Sequence, residues 1–341
     1  MMKKVIFLLF GVLALASCTK ESDAPVFPIV QPTGETMLLA TRGFPGYPEM
    51  IFDIKGDTVY LCEDTEHHIL SLTTEGSDWY ARLSNDAGNY CVVKNGETVY
   101  STPRVIADMA VEGGIVYTVE VDKQDDTRWV YRDFMQLYEL DKKVNYNTFF
   151  VQDGNVFFTI NTLRPYTWWN GRTISFEGID EGFAFTYGMD RTNDDILIVY
   201  QGYTTRRDKY YWHSAVHDLP EKFAPWTCRI VNGHAIVLGQ EKTSSGIGGV
   251  NGVPAVIIDG VETLLSEQKG FAAVQVAQQG MDTYILVNDV RSDSGRSMLY
   301  RNMQQVTMPS NIVIPQELLQ HYSQYGTMIS LTELGIIDIA S

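Results

Sequence analysis

A two-residue turn set between alternating apolar residues recurs along this chain, and it restricts the fold more than any other feature. In "YCVVKNGETVY", Tyr90 to Tyr100, an apolar run meets Asn95-Gly96 and alternation then resumes. An Asn-Gly pair suits a tight hairpin because both central positions adopt positive φ. Related segments are "TWWNGRTISF" and "AVIIDGVETLL". Aligned on the turn, the chain places Lys55-Gly56, Asn95-Gly96, Asp133-Phe134, Asn170-Gly171, Ser214-Ala215, Asp259-Gly260 and Asn302-Met303 at intervals of 37 to 45 residues. Two residues before the turn stand Val93, Tyr131, Trp168, Trp212, Ile257 and Tyr300. Four residues after its first member stand Val59, Val99, Leu137, Ile174 and Val306, a column broken by Asp218 and Thr263. Apolar positions at fixed offsets in a period-2 context are what stacked sheets require.

A second hairpin precedes each of these, as in "IADMAVEGGIVYTVEV" and "CRIVNGHAIVLG", with Gly76, Gly113, Gly154, Gly233 and Gly280 at the bends. Each repeat therefore holds four strands. Periods of this size belong to propellers or solenoids, and four strands make a propeller blade. The N-terminal "PEMIFDIKGDTVYL" looks like a second hairpin without a first. The C-terminal "GTMISLTELGIIDIAS" looks like a first hairpin without a second. Joined, they form one blade shared by the termini, which closes a ring and removes sheet edges. The expected fold is all-β: a single β-propeller domain over residues 36–341 with seven four-stranded blades. "TMLLATRG" is unassigned, so six or eight blades stay open, and a solenoid is the runner-up. A helix is expected from Pro315 to Tyr325, where proline suits the first turn and Gly326 the C-terminal cap.

The N-terminus points to an address. Lys3 and Lys4 precede the apolar run Val5 to Leu15, too short for a membrane span of roughly 20 residues. Leu15-Ala16-Ser17-Cys18 resembles a bacterial lipobox, which implies a signal peptide over 1–17, cleavage before Cys18 and lipidation at Cys18. The following Thr19-Lys20-Glu21-Ser22-Asp23 resembles the surface-export signal of some Gram-negative lipoproteins. Residues 18–35, with Pro25, Pro28, Pro32 and Gly34, read as a flexible linker. From Thr36 to Ser341 the chain resembles β-propeller lipoproteins broadly, without a WD, kelch or NHL signature. The resemblance implies a membrane partner reached through the lipid anchor and display at the outer membrane.

Composition narrows the function. The chain carries 26 basic and 42 acidic residues, a net charge of −16 that becomes −18 when Lys3 and Lys4 leave with the leader. That balance argues against nucleic acid, which requires a basic patch. After Cys18 only Cys62, Cys91 and Cys228 remain, without CxxC or zinc spacing. They read as core residues, with a Cys62–Cys91 bridge as an alternative. No cofactor is expected. The acidic clusters Asp190/Asn193/Asp194/Asp195 and Asp122/Asp125/Asp126 would suit calcium by ligand type, but neither has the spacing of a calcium loop.

The longer loops between hairpins occupy the face opposite the tight turns. The candidate ligand-binding residues are Arg164, Tyr166, Tyr203, Arg206, Arg207, Tyr210, Trp226, Arg291 and Tyr325. Aromatic faces with guanidinium donors suit a sugar ring or an acidic glycan. Trp168 and Trp212 read instead as core wedges, and Trp169 as exposed. No GxSxG or paired His motif occurs, so no catalytic residue is assigned. The leading expectation is a cell-surface, lipid-anchored binding protein whose ligand is a glycan or an envelope protein of an uptake assembly. The alternatives are a glycoside hydrolase or polysaccharide lyase, which requires facing carboxylates at the ring centre, and a protein–protein scaffold, which requires an exposed apolar patch.

Overall fold

The computed structural model describes residues 36–41, 49–53, 56–63, 66–164, 166–192, 195–242, 251–290 and 297–306, and the backbone of 331–337. These residues form seven antiparallel sheets of four strands each. Blade 2 runs from β4 (His67–Glu75) to β7 (Glu97–Thr102), blade 3 from β8 (Val105–Glu112) to β11 (Met135–Leu140), and blade 4 from β12 (Tyr146–Gln152) to β15 (Arg172–Ser175). Blade 5 runs from β16 (Phe183–Arg191) to β19 (Ala215–Asp218), blade 6 from β20 (Phe223–Val231) to β23 (Val261–Leu264), and blade 7 from β24 (Phe271–Gln279) to β27 (Gln304–Val306). The first strand of each blade touches the first strands of its two neighbours, and β28 (Leu331–Ile337) completes the circuit between β24 and β4. The chain is a seven-bladed β-propeller. Among the described residues there is no helix; the expected helix from Pro315 to Tyr325 lies outside them.

The closing blade differs from the expected two-plus-two arrangement. Its order is β28, β1 (Thr36–Thr41), β2 (Met50–Asp53), β3 (Thr58–Leu61): three strands from the N-terminus and one from the C-terminus. β1 is the unassigned "TMLLAT". It pairs with β28 from Thr36↔Ile337 to Thr41↔Leu331, and with β2 through Leu39↔Phe52. All six of its residues are buried. A strand covered on both faces shows a continuous apolar run and no alternation, so a period-2 reading passes over it.

The tight turns follow from side-chain chemistry as well as backbone freedom. Asn95, Asp133, Asn170, Asp259 and Asn302 all have positive φ. Each side-chain oxygen accepts an N–H from the blade's second strand: Trp79 (2.9 Å), Val116 (3.2 Å), Val156 (2.8 Å), Ala235 (2.9 Å) and Thr283 (2.9 Å). Asparagine and aspartate tolerate the left-handed region and supply an acceptor there. In blade 5 the turn falls on His213-Ser214, both at positive φ, and not on Ser214-Ala215. Here the roles reverse. Asp195 accepts the His213 N–H (3.3 Å) and pairs with its ring.

The column two residues before the turn is buried throughout, from Val93 and Ile257 at 1% exposure to Tyr131 at 8%. Trp168 and Trp212 are core residues, and Tyr138 of blade 3 meets Trp168 edge-on at 5.1 Å. The column after the turn departs from expectation. Val99 and Leu137 are 41% and 38% exposed. Each sits where the outermost strand slips register, between Val92 and Val93 in blade 2 and between Val130 and Tyr131 in blade 3. A bulge leaves its extra residue outside the ladder. Val59 sits at the same slip in the closing blade and is 2% exposed, so the bulge alone does not decide which way the side chain faces.

Neighbouring blades are also latched. Glu75 accepts the N–H groups of Gly113 and Gly114 (both 2.6 Å), and Glu112 those of Asp153 and Gly154. At the seam beside the closing blade, His68 lies between Glu49 (3.1 Å) and Asp86 (3.0 Å). Cys62, Cys91 and Cys228 are free thiols, so the alternative Cys62–Cys91 bridge is not formed.

Two outcomes are expected. Urea unfolding should rank Asn170 above Asn170→Gly above Asn170→Ala. Glycine loses only the side-chain bonds, about 1 kcal/mol, and alanine adds left-handed strain of roughly another 1 kcal/mol. Equal stability of the glycine variant would show that the side-chain bonds contribute nothing. For the seam, the Glu49 bond, then the Asp86 bond, raises the His68 pKa above 6.5, against a smaller opposing effect of burial. Its stabilisation is complete below pH 6.5 and is lost as pH rises through the raised value. A Tm–pH series should show this alkaline limb for the native chain and not for His68→Gln.

Candidate functional site

The connections at the ends of the blades alternate between two faces of the ring. Tight turns occupy one face. The loops between second and third strands share the other with the connections between blades. On this second face a cleft of about 520 Å³ opens between blades 5 and 6. Gln201, Arg206, Arg207 and Asp208 line it from blade 5. Asp218, Leu219, Pro220 and Glu221 line it from the connection that follows, and Lys242 from the end of the second strand of blade 6.

The blade 5 loop has a near-twin in blade 3. In residues 122–127, the Asp122 N–H donates to the Thr127 carbonyl (2.9 Å) and the Asp126 N–H to the Asp122 carbonyl (3.1 Å). In residues 202–207, the Gly202 N–H donates to Arg207 (2.8 Å) and the Arg206 N–H to Gly202 (3.0 Å). Asp126 and Arg206 occupy the same left-handed position, at φ 57° and 56°. Aspartate is at ease there and arginine is not. The loop shape alone therefore does not call for the arginine.

The two loops differ in how their free N–H groups are satisfied. In blade 3 the loop's own Asp122 accepts the Gln124 N–H (2.7 Å). In blade 5 the equivalent residue is Gly202, and Glu181 reaches in from the preceding connection. It accepts the Thr204 and Thr205 N–H groups (both 3.0 Å) and the Thr205 hydroxyl (2.8 Å), and it pairs with Lys209 at 2.6 Å. A Cβ on Gly202 would stand 2.5 Å from Thr205 Oγ1 and from Glu181 Cδ, so the glycine makes room for the acid. Burial alone would raise the Glu181 pKa; Lys209 and the Thr205 and Thr204 bonds outweigh it and hold the group at about 2. Gly182 adds a second clamp, donating to the Leu163 carbonyl (3.0 Å) and accepting from the Tyr203 N–H (2.8 Å).

The expected site residues separate into groups. Arg206 and Arg207 line the cleft, and the Arg206 guanidinium lies 5.1 Å from the centre of the Tyr203 ring. Arg164 and Tyr166 share the same face in blade 4, bonded at 3.2 Å. Trp226 is not in a loop. It is the bulged residue of β20 and is 48% exposed. Tyr210 is 6% exposed and stacks on His217 at 4.7 Å. It packs in the blade 5–6 core, where it presents no ring face to a ligand. Trp169 is 36% exposed on the opposite, tight-turn side and stacks on Phe157. Arg291 and Tyr325 lie outside the described residues, as does Cys18.

Sequence reasoning missed Glu181, Lys209, Asp218, Glu221 and Lys242. The signal for Glu181 was indirect: the loop 202–207 lacks the acid that its twin carries at Asp122. Phe185 was missed as well. It is 47% exposed on β16, pairs across the ladder with Gln201, and meets Tyr187 edge-on at 5.0 Å. The Tyr187 hydroxyl donates to Asp208 at 2.8 Å.

Asp108 and Asp190 stand on inner strands with carboxyls raised by burial, which Arg82 and Arg229 offset for Asp108 and Arg229 offsets for Asp190. Asp190 spends one oxygen on the Arg191 N–H (2.9 Å) and the other on the Ile230 N–H (2.7 Å). It is an inter-blade latch, unsuited to the second member of a hydrolytic pair. Among the described residues no group of three His, Cys, Asp or Glu side chains could hold a metal ion. In the 122–126 cluster, Asp125 is taken by Thr127 (2.6 Å) and Lys142 (2.7 Å). Asn193 and Asp194 of the other cluster lie outside the described residues. No helix among the described residues is long and apolar enough to cross a membrane.

No protein-family model and no curated protein matches the chain. Solved propellers do. The β-propeller domain of the Trilobed protease from Pyrococcus furiosus, of open velcro topology, has a TM-score of 0.51 at 8% identity over 82% of this chain and 94% of that one. AztD from Citrobacter koseri has a TM-score of 0.48 at 9% identity, over 91% and 100%. BamB from Moraxella catarrhalis has a TM-score of 0.43 at 11% identity, over 75% and 80%. At these identities the likeness concerns the fold. The present chain pairs β28 with β1 and so closes its seam.

Glu181 gives a pH test. Its depressed pKa stabilises the fold above about 4.5, and that contribution is lost as pH falls toward about 2. Glu181→Gln should lower Tm at pH 7 and flatten the acid limb of the Tm–pH curve relative to the native chain. Gly202→Ala should destabilise by roughly 1–3 kcal/mol through displacement of the same carboxylate. A native acid limb in Glu181→Gln would remove the carboxylate from this role.

Proposed function

We propose that this protein is a lipid-anchored binding protein of the outer membrane, displayed on the cell surface, and that its propeller holds a glycan or a partner protein of an uptake assembly on the long-loop face of blades 4 to 6. One observation carries the reading: a cleft of about 520 Å³ whose arginine-bearing loop is fixed in advance by Glu181. That volume falls within the roughly 300–1,000 Å³ typical of ligand sites. A loop fixed before binding spares the ordering cost of association. The lipobox-like Leu15-Ala16-Ser17-Cys18 supports the anchor, and the lysine and acids after Cys18 support surface display.

The partner-protein form of the proposal draws on a different feature. Leu163, at 66% exposure, adds apolar surface to the same face, and Phe185 and Trp226, at 47% and 48%, are exposed on the neighbouring inner strands β16 and β20. Exposed apolar patches mark docking surfaces when they are contiguous.

Two measurements test the proposal. Cys18→Ala should move the protein from the membrane fraction to the soluble fraction and abolish labelling by a radioactive fatty acid; persistence in the membrane would refute the anchor. A thermal-shift panel of glycans should produce a stabilised melt, since a ligand at about 100 times its Kd adds roughly 2.7 kcal/mol. No shift from any glycan, together with no envelope protein recovered by cross-linking at the 203–207 loop, would refute the assigned face.

A further inference from the structure

We infer that the blade 5–6 cleft recognises an uncharged, polyhydroxylated ligand, a neutral oligosaccharide, and not an acidic one. The inference rests on the binding role proposed above and names the ligand class for that site.

Charge is the first argument. The lining carries three cations, Arg206, Arg207 and Lys242, and three acids, Asp208, Asp218 and Glu221. The cleft therefore has no formal net charge, and it sits in a chain of net charge −16. An anionic glycan approaching it meets repulsion at long range and balance at short range. A site selecting an anion concentrates one sign of charge instead.

Hydrogen-bond capacity is the second. Arg206, Arg207 and Lys242 offer only donors, and Asp218 and Glu221 in their ionised form offer only acceptors. None of these five side chains forms an ion pair with another described residue at 4 Å or less. Asp208 differs, because the Tyr187 hydroxyl (2.8 Å) and the Gln201 amide (3.3 Å) already orient it. Donors and acceptors facing one space suit a sugar hydroxyl, which donates and accepts at once. A carboxylate or sulfate would leave Asp218 and Glu221 facing like charge.

Apolar surface supplies the third. Among the exposed large hydrophobic residues described, only Phe185 and Trp226 lie on inner strands. They stand on neighbouring strands, third and fourth from the end that meets the cleft face. Phe185 connects to the cleft through its ladder partner Gln201 and through Tyr187 to Asp208. Neither Phe185 nor Trp226 lines the cleft itself, where Leu219 and Pro220 supply the apolar surface. Sugar rings present an apolar face as well as hydroxyls, and a cleft with both kinds of surface serves both.

The test uses the full chain in detergent and isothermal titration with two sets of probes matched in length: neutral gluco-, manno- and xylo-oligosaccharides, and acidic oligogalacturonates and sialylated or sulfated oligosaccharides. At least one neutral probe should bind, with an affinity unchanged between about 50 mM and about 300 mM salt. Arg207→Gln and Asp218→Asn should each weaken it about tenfold or more, the scale of one charge-assisted hydrogen bond. Their unchanged melting temperatures would separate this loss from misfolding. Binding of acidic probes alone, weakened by salt and by Arg207→Gln, would overturn the neutral-ligand inference and leave the cleft in its binding role. Neutral binding indifferent to both substitutions would overturn the assignment of this cleft. No binding from either set would overturn the inference, and cross-linking at the same loop would then decide whether the face binds protein.

Discussion

Everything in this molecule depends on the pairing of β28 with β1. A blade is a flat object with two apolar faces, and a neighbour can cover only one. Stacking blades side by side passes the uncovered face along the row and never removes it. Only a closed circuit covers every face. Here the circuit closes through one strand from the far end of the chain, laid against the first strand of the domain. That is why β1 is buried along its full length although it begins the fold.

Closure also explains where variation is tolerated. The tight-turn face is occupied by structural chemistry: turn residues bonded to second strands, and glutamates latching the next blade. The other face has longer connections and fewer obligations. Blades 3 and 5 use one loop conformation there with different chemistry. The blade 3 loop satisfies itself with Asp122 and Asp125. The blade 5 loop gives up its internal acid for Gly202 and recruits Glu181 from outside. That exchange places two guanidinium groups at the mouth of a cleft without weakening the loop that carries them.

Much of the fold was legible in the sequence because its signals are local. An Asn-Gly turn, a buried residue two positions earlier and a period near forty residues can each be read within one repeat. The missed elements are those whose cause lies elsewhere in the chain. β1 shows no alternation because distant strands cover both of its faces. Val99 and Leu137 share a column and a register slip with Val59, yet they are exposed and Val59 is buried, so what covers each position depends on the packing of its blade. The turn at His213-Ser214 lacks asparagine, and its compensation comes from Asp195. The cleft was half legible: Arg206 and Arg207 are conspicuous in one loop, whereas Asp218, Glu221 and Lys242 reach the same space from other connections. Tyr210 has the composition of a binding residue and the environment of a core wedge, and only packing separates the two.

The most direct test of the closed ring is hydrogen exchange and thermal unfolding of a chain ending at residue 330, compared with the full chain. If β28 holds the seam, amides of Thr36–Thr41 protected in the full chain will exchange freely in the shortened one, and its unfolding will shift to lower temperature and lose cooperativity. A shortened chain with protected β1 amides and the melting temperature of the full chain would contradict the account, because the ring would then be stable without the strand that closes it.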